Sequence, residues 1–160
     1  MRSAARPSVV GTTFRAGVGA VILDGDGRAL ALERIDRPGA WQLPQGGLND
    51  GESPEDGLWR ELAEETGLTR SDVELVAEVP EWLGYELPAA LQSPKTGSGQ
   101  VHKWFVLRSV TDEPPVRLDG EGAAEFRAWR WTGLDELVAD VVEFRRPVYR
   151  RLAEFAAGLP

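Results

Sequence analysis

A chain of 160 residues with 42% hydrophobic and 28% charged residues suits a single globular domain with a real core. It has no cysteine, which excludes disulfides, zinc–thiolate sites and cysteine nucleophiles and leaves the cytoplasm as the default compartment. A formal net charge of −8 argues against tracking a long nucleic-acid backbone, and no apolar run approaches the ~20 residues of a membrane helix.

Residues 1–13, rich in Ser, Thr, Ala and Arg, read as a flexible tail without the apolar stretch of a signal peptide, and 14–160 as one domain. The run GVGAVIL at 17–23 predicts a strand, DGDG at 24–27 a turn and 29–33 a second strand, so that 17–34 forms a β-hairpin. After a break at Arg37-Pro38-Gly39, Trp41-Gln42-Leu43-Pro44 leads onward, with Pro44 suited to a strand end or edge. A helix follows, with Ser53 as N-cap, Pro54 at its first position, Glu55 and Asp56 near its positive start, and Gly67 as C-cap. Residues 73–79 predict a strand, 81–88 a shorter one that presents Tyr85, and 88–100 a loop. Strand 101–110 looks buried on both faces around Trp104-Phe105-Val106-Leu107. Residues 111–122 predict a loop, 126–131 the last strand, and 134–138 and 147–157 two helices. On the second helix Val148, Leu152 and Phe155 fall at core spacing. This order implies mixed α/β layers.

On the first predicted helix, Glu61, Glu64 and Glu65 share one arc at about 100° per residue. Leu58, Trp59, Leu62 and Ala63 occupy the adjoining arc, which reads as the core face. Carboxylates at i, i+3 and i+4 repel one another unless something neutralises them, and a hard oxygen-loving cation such as Mg²⁺ does so. A solvated acidic face is the competing reading. The wider spacing favours the cation: Gly46, five residues, Glu52, seven residues, then RELAEETGL from Arg60 to Leu68. At residue frequencies of about 5–7% per fixed position, a chance match is below about one in 10⁸ per starting point.

That stretch reproduces the Nudix box without a mismatch, and the chain resembles the Nudix hydrolases, which cleave a nucleoside diphosphate linked to another group. The resemblance implies an α/β/α sandwich around a mixed β-sheet. It also implies that Glu61, Glu64 and Glu65 hold Mg²⁺ or Mn²⁺, that the Gly46 carbonyl adds a ligand, and that Arg60 pairs with Glu52 as scaffold, pointing off the metal arc. The cations of such a site neutralise phosphate oxygens and supply hydroxide near neutral pH.

From about Arg15 to Phe155 the segments GAWQLPQGG, AEVPEWLGYELP, GQVHKWFVL, EFRAWRW and VVEFRRPVYRRL resemble bacterial RNA pyrophosphohydrolases and plant-type diadenosine tetraphosphate hydrolases. The resemblance makes Glu125 a further carboxylate near the metals, against a plain reading as a strand-end surface residue. It places Arg15 and Arg34 near the phosphates or the terminal base, where a solvated arginine is the other reading. Tyr85 and Lys103 match phosphate contacts, and a lysine among buried-looking residues wants an anionic partner. Phe144 and Arg145 match a pair that stacks on a base and contacts phosphate, with helix packing the alternative for Phe144. His102, the only histidine, reads as a strand surface residue. The 88–100 loop lacks a Trp-bearing stretch found in many relatives, and Glu33 stands where some have arginine; both touch the substrate side. The expected substrate is an RNA 5′ end, whose decay this would promote, with a dinucleoside polyphosphate as the alternative. A non-catalytic nucleotide sensor is disfavoured because every box residue is present and the length leaves no room for an appended domain.

Overall fold

The computed structural model describes residues 13–120 and 124–160, so the tail predicted over 1–13 lies, but for Thr13, outside the described residues. One mixed sheet organises the chain. Its strands are β1 (Phe14–Leu23), β2 (Ala29–Arg34), β3 (Trp41–Gln42), β4 (Gln45–Gly47), β5 (Val73–Glu78), β6 (Leu83–Glu86), β7 (Gly99–Ser109) and β8 (Phe126–Thr132). The main path runs β3-β2-β1-β7-β5, with β4 on β1, β6 on β7 and β8 on β2. Helix α1 (Pro54–Thr66) covers one face, while α2 (Leu134–Asp140) and α3 (Arg146–Ala157) cover the other.

The alternation along β1 sets this layering. Val18, Ala20 and Ile22 pack with Leu58 and Leu62 of α1, whereas Val21 and Leu23 pack with Val148, Tyr149 and Leu152 of α3. A strand covered on both faces reads as an unbroken apolar run, which is what GVGAVIL is. Each fully buried leucine on α1 contributes about 1.5–3 kcal/mol relative to exposure. The hairpin expected over 17–34 forms only at its turn, where Leu23 pairs with Ala29. Below the turn the partners change. β1 takes β4 on one side, with Gly17 opposite Gly47 and Val18 opposite Gly46, and pairs in parallel with β7 on the other.

The helix caps are as expected: Ser53 Oγ accepts from the Asp56 N–H, and Gly67, at φ 70°, donates its N–H to Ala63. The core face of α1 differs from the expectation. Ala63 is exposed and Trp59 only half-buried, while Gly57 and Thr66 are buried with Leu58 and Leu62. The helix sits close enough to the box loop that a Cβ at Gly57 would strike Leu48. Strands β1 and β7 begin earlier than predicted, and the loop after β6 contains a 3₁₀ turn at Ala89–Leu91. No helix among the described residues is long and apolar enough to cross a membrane.

Candidate active site

The box loop reaches the site through β4, which hangs on the lower end of β1 and brings Gly46 beside Glu61 of α1. A Cβ at Gly46 would overlap the Glu61 carboxyl, so the missing side chain is what lets that acid lie against the loop. The loop is tied to the helix by Arg60. Its guanidinium donates to both Glu52 oxygens at 2.8 Å and to the Gly47 carbonyl at 2.7 Å. The pairing holds the Glu52 carboxyl down at about 2. Arg60 also donates to Glu61 at 2.9 Å and Glu64 at 3.2 Å, so it stands among the box carboxylates rather than pointing off their arc.

The remaining acids are crowded. Burial pushes the Glu61 carboxyl up, against the pull of Arg60 and with Glu64 and Glu125 adding to the rise. Burial raises Glu65 well above the carboxylate range, Glu61 and Glu125 reinforce it, and the Gln45 N–H offsets part of it. Glu65 Oε2 is buried with no hydrogen-bond partner. Among the described residues no three acidic or imidazole groups converge to enclose an ion as the side chains stand, and Arg60 Nη1 lies between Glu61 and Glu64. The donor chemistry nevertheless fits a hard divalent cation: oxygen ligands only, mutual repulsion to relieve, and one buried carboxylate oxygen without a partner.

Next to Gly46 and Gly47 opens a polar cleft of about 230 Å³ whose wall includes Arg15, Arg34, Arg145 and Glu125. Arg34 leaves β2 at a register shift beside Glu33 and forks onto Asp36 at 2.7 and 2.9 Å. Arg145 sits on a 3₁₀ turn (Glu143–Arg145) and donates to Gln42 at 3.0 Å. A second hollow of about 310 Å³ shares Arg34 and Arg145 and adds Trp41 and Phe144. Phe144 leans on Tyr85 with ring centroids 5.4 Å apart. Tyr85 is buried, so its ring is not available as expected; its hydroxyl donates to Gln100 at 2.6 Å and accepts from Gln45 at 3.3 Å. Glu33, at the position where some relatives carry arginine, is buried, paired with Arg127 and accepts the Gly39 N–H.

The structure thus brings Gly46, Glu125, Arg15, Arg34 and Arg145 to one cleft, with Phe144 on the adjoining hollow. It does not bring Lys103 there. Lys103 donates to the Pro80 carbonyl and lies 3.3 Å from Glu78, which supplies the anionic partner a buried lysine needs. His102 also departs from the expectation: only 3% exposed, it is no surface residue, and burial beside Arg145 pushes its imidazole down to about 4. Sequence reasoning passed over Gln42, Gln45 and Gln100 on the cleft wall and Tyr149, whose hydroxyl accepts the Leu43 N–H at 2.9 Å and pins the strand before the box. Neutral amides leave no charge pattern to find. The nearest signal was the two glutamines bracketing Leu43-Pro44.

Comparison with known proteins agrees with this geometry. A Pseudomonas putida RNA pyrophosphohydrolase is 47% identical over 150 residues, covering 91% of this chain and 94% of the relative. A Rhodospirillum rubrum RNA pyrophosphohydrolase is 42% identical over 154 residues, covering 94% and 92%. A crystal structure of a C. elegans Ap4A hydrolase binary complex superposes with a TM-score of 0.68 at 22% identity, covering 91% of this chain and 99% of that one. The family model described as NUDIX domain matches residues 13–152. The chain therefore belongs to the NUDIX family and is a hydrolase of that family.

Proposed function

We propose that the protein is an RNA 5′-pyrophosphohydrolase that converts triphosphorylated or diphosphorylated RNA ends to 5′-monophosphate in the cytoplasm, promoting RNA decay. One observation carries the reading: three arginines wall a cleft directly against Gly46 and Gly47, beside the crowded box carboxylates. In a protein of net charge −8, local cations of this kind are what hold a polyanion against long-range repulsion. The two RNA pyrophosphohydrolases at 42% and 47% identity support the same substrate.

The division of labour follows from the walls. Arg15, Arg34 and Arg145 grip the polyphosphate, and Arg34 exchanges Asp36 for a phosphate oxygen. Phe144 and Trp41 offer flat surfaces to a base in the adjoining hollow. Glu52 and Arg60 hold loop and helix in register. Glu61, Glu64, Glu65, Glu125 and the Gly46 carbonyl are the oxygen donors for Mg²⁺ or Mn²⁺, which when bound neutralises phosphate charge and lowers the pKa of water. Water then attacks phosphorus, a carboxylate of the site takes its proton, and the phosphoanhydride P–O bond breaks as pyrophosphate or phosphate leaves.

The test is product analysis by ³¹P NMR or chromatography with 5′-triphosphorylated RNA and diadenosine tetraphosphate, one preparation, Mg²⁺ and Mn²⁺ in turn. Conversion of the RNA end to monophosphate at the higher kcat/KM supports the reading. Preferential turnover of the dinucleotide would replace it with dinucleoside polyphosphate hydrolysis.

A further inference from the structure

Outside the box and the arginines, one buried titratable side chain faces the cleft without a role. His102 lies on β7, opposite Gly17 of β1, and lines the hollow beside Gly46 and Gly47. Its ring is fixed on both sides. Tyr85 stacks on it at 6.0 Å with an interplanar angle of 20°, and Trp104 leans against it at 6.1 Å. The Cδ2–Nε2 edge lies against Gly17: a Cβ there would stand 2.7 Å from Cδ2, 2.9 Å from Nε2 and 2.5 Å from the Gly46 carbonyl oxygen. Glycine at that point is what allows the imidazole to reach so close to the box loop.

Nδ1 is sealed from solvent and has no hydrogen-bond partner. A neutral imidazole carries one proton, and an N–H needs an acceptor, so the proton belongs on Nε2, on the edge beside Gly46. The ring therefore presents a rigid donor to a cleft whose other side-chain donors are arginines and glutamines.

We propose that His102 is a substrate-positioning residue whose imidazole hydrogen-bonds to the polyphosphate held beside Gly46 and Gly47. This rests on the reading of the cleft as a phosphate site, and it adds a fixed point that sets the register of the phosphate chain along the loop.

The test uses the full chain with inorganic tripolyphosphate as probe, its affinity read by calorimetry and therefore independent of turnover. His102→Leu removes both nitrogens at similar volume, and His102→Gln restores an N–H donor; if the leucine variant does not fold, His102→Met takes its place. The expected result is a loss of affinity of about tenfold in the apolar variant, recovered to within about threefold by glutamine, because a hydrogen bond to a charged acceptor is the strong kind. With triphosphorylated RNA the same variant raises KM while kcat changes less. Equal affinity in wild type and the apolar variant overturns the proposal. So does an equal loss in both variants together with an equal fall in melting temperature, which makes His102 a packing residue. Wild type that binds tripolyphosphate through His102 but leaves triphosphorylated RNA intact would end the RNA reading and leave this site standing.

Discussion

The carboxylates of α1 and the arginine-lined cleft near them carry opposite charge and are built by opposite means. On α1, Glu61 and Glu65 are driven up by burial and by neighbouring carboxylates, and an oxygen of Glu65 is left unpartnered. In the cleft the charge is positive and partly paired: Arg34 with Asp36 and Arg145 with Gln42, while Arg145 Nε is buried without a partner. The carboxylates come from one contiguous stretch and work against its stability. The cleft is drawn from elements far apart in the chain. Reactive charge is thus concentrated on one stretch of helix, and binding charge is gathered from distant segments.

The sharpest way to test that contrast is Glu65→Gln. Losing one charge from the donor set should lower kcat by at least about 100-fold, since removal of a single group stabilising transition-state charge costs that much. The melting temperature measured without divalent cation should hold or rise, because an amide relieves the crowding. Near-wild-type kcat at saturating cation would break the comparison outright. Adding Mg²⁺ or Mn²⁺ should raise the melting temperature of wild type more than that of the variant.

Arg60→Ala should come next. It strips the partner from Glu52, Glu61 and Glu64 at once and frees the Gly47 carbonyl, so a fall in melting temperature of about 5 °C or more is expected alongside lost activity. Lost activity at an unchanged melting temperature would move Arg60 from scaffold to substrate. Behind the cleft, Tyr149→Phe leaves the buried Leu43 N–H without its acceptor and should cost about 1–3 kcal/mol in denaturant unfolding. A neutral result would show that the strand before the box is held by its neighbours alone.

Arg145→Ala should raise KM severalfold while kcat falls less. Phe144→Ala should give a KM loss that depends on the first bases of the RNA if the ring stacks on a base, and a fall in melting temperature if it serves only Tyr85. The smallest effect concerns pH. Glu52 sits at about 2 in the fold against an ordinary value of 4.5, so the folded protein binds fewer protons between those values. Its stabilising contribution is complete above pH 4.5 and fades as pH falls toward about 2. The difference in unfolding midpoint between wild type and Glu52→Gln should shrink over that same interval, and a difference that stayed constant would contradict the Arg60 pairing.

What was legible in advance divides along the same line. Helix α1, its caps and its carboxylate arc depend on neighbours three or four residues apart, and the spacing of 46–68 displays them. Ala63 was misplaced because it lies at the edge of the apolar arc, about 100° from Leu62, and helical phase alone does not say how far that arc is covered. In the cleft Gln42, Gln100 and Arg145 meet only because β7 pairs with β1 and α3 folds back over the sheet, contacts that no local pattern encodes. His102 looked like a surface residue because a lone histidine near the start of a strand gives no sign of which neighbours will cover it. Lys103 did announce a need for an acid, but Glu78 across the sheet met that need, away from the cleft.

The parallel pairing of β1 with β7 also governs when the protein can acquire its shape. Phe14 meets Gly99 and Leu23 meets Arg108, so the middle of the sheet joins the beginning of the chain to a segment 85 positions later. Contacts so remote in sequence close late and slow the search for the native state. During synthesis at about 5–20 residues per second, the apolar β1 must wait several seconds for its partner to leave the ribosome. Through that interval GVGAVIL has β2 and β4 on one side and an open, water-averse edge on the other, and chains interrupted before β7 should be aggregation-prone substrates for chaperones rather than smaller folded domains.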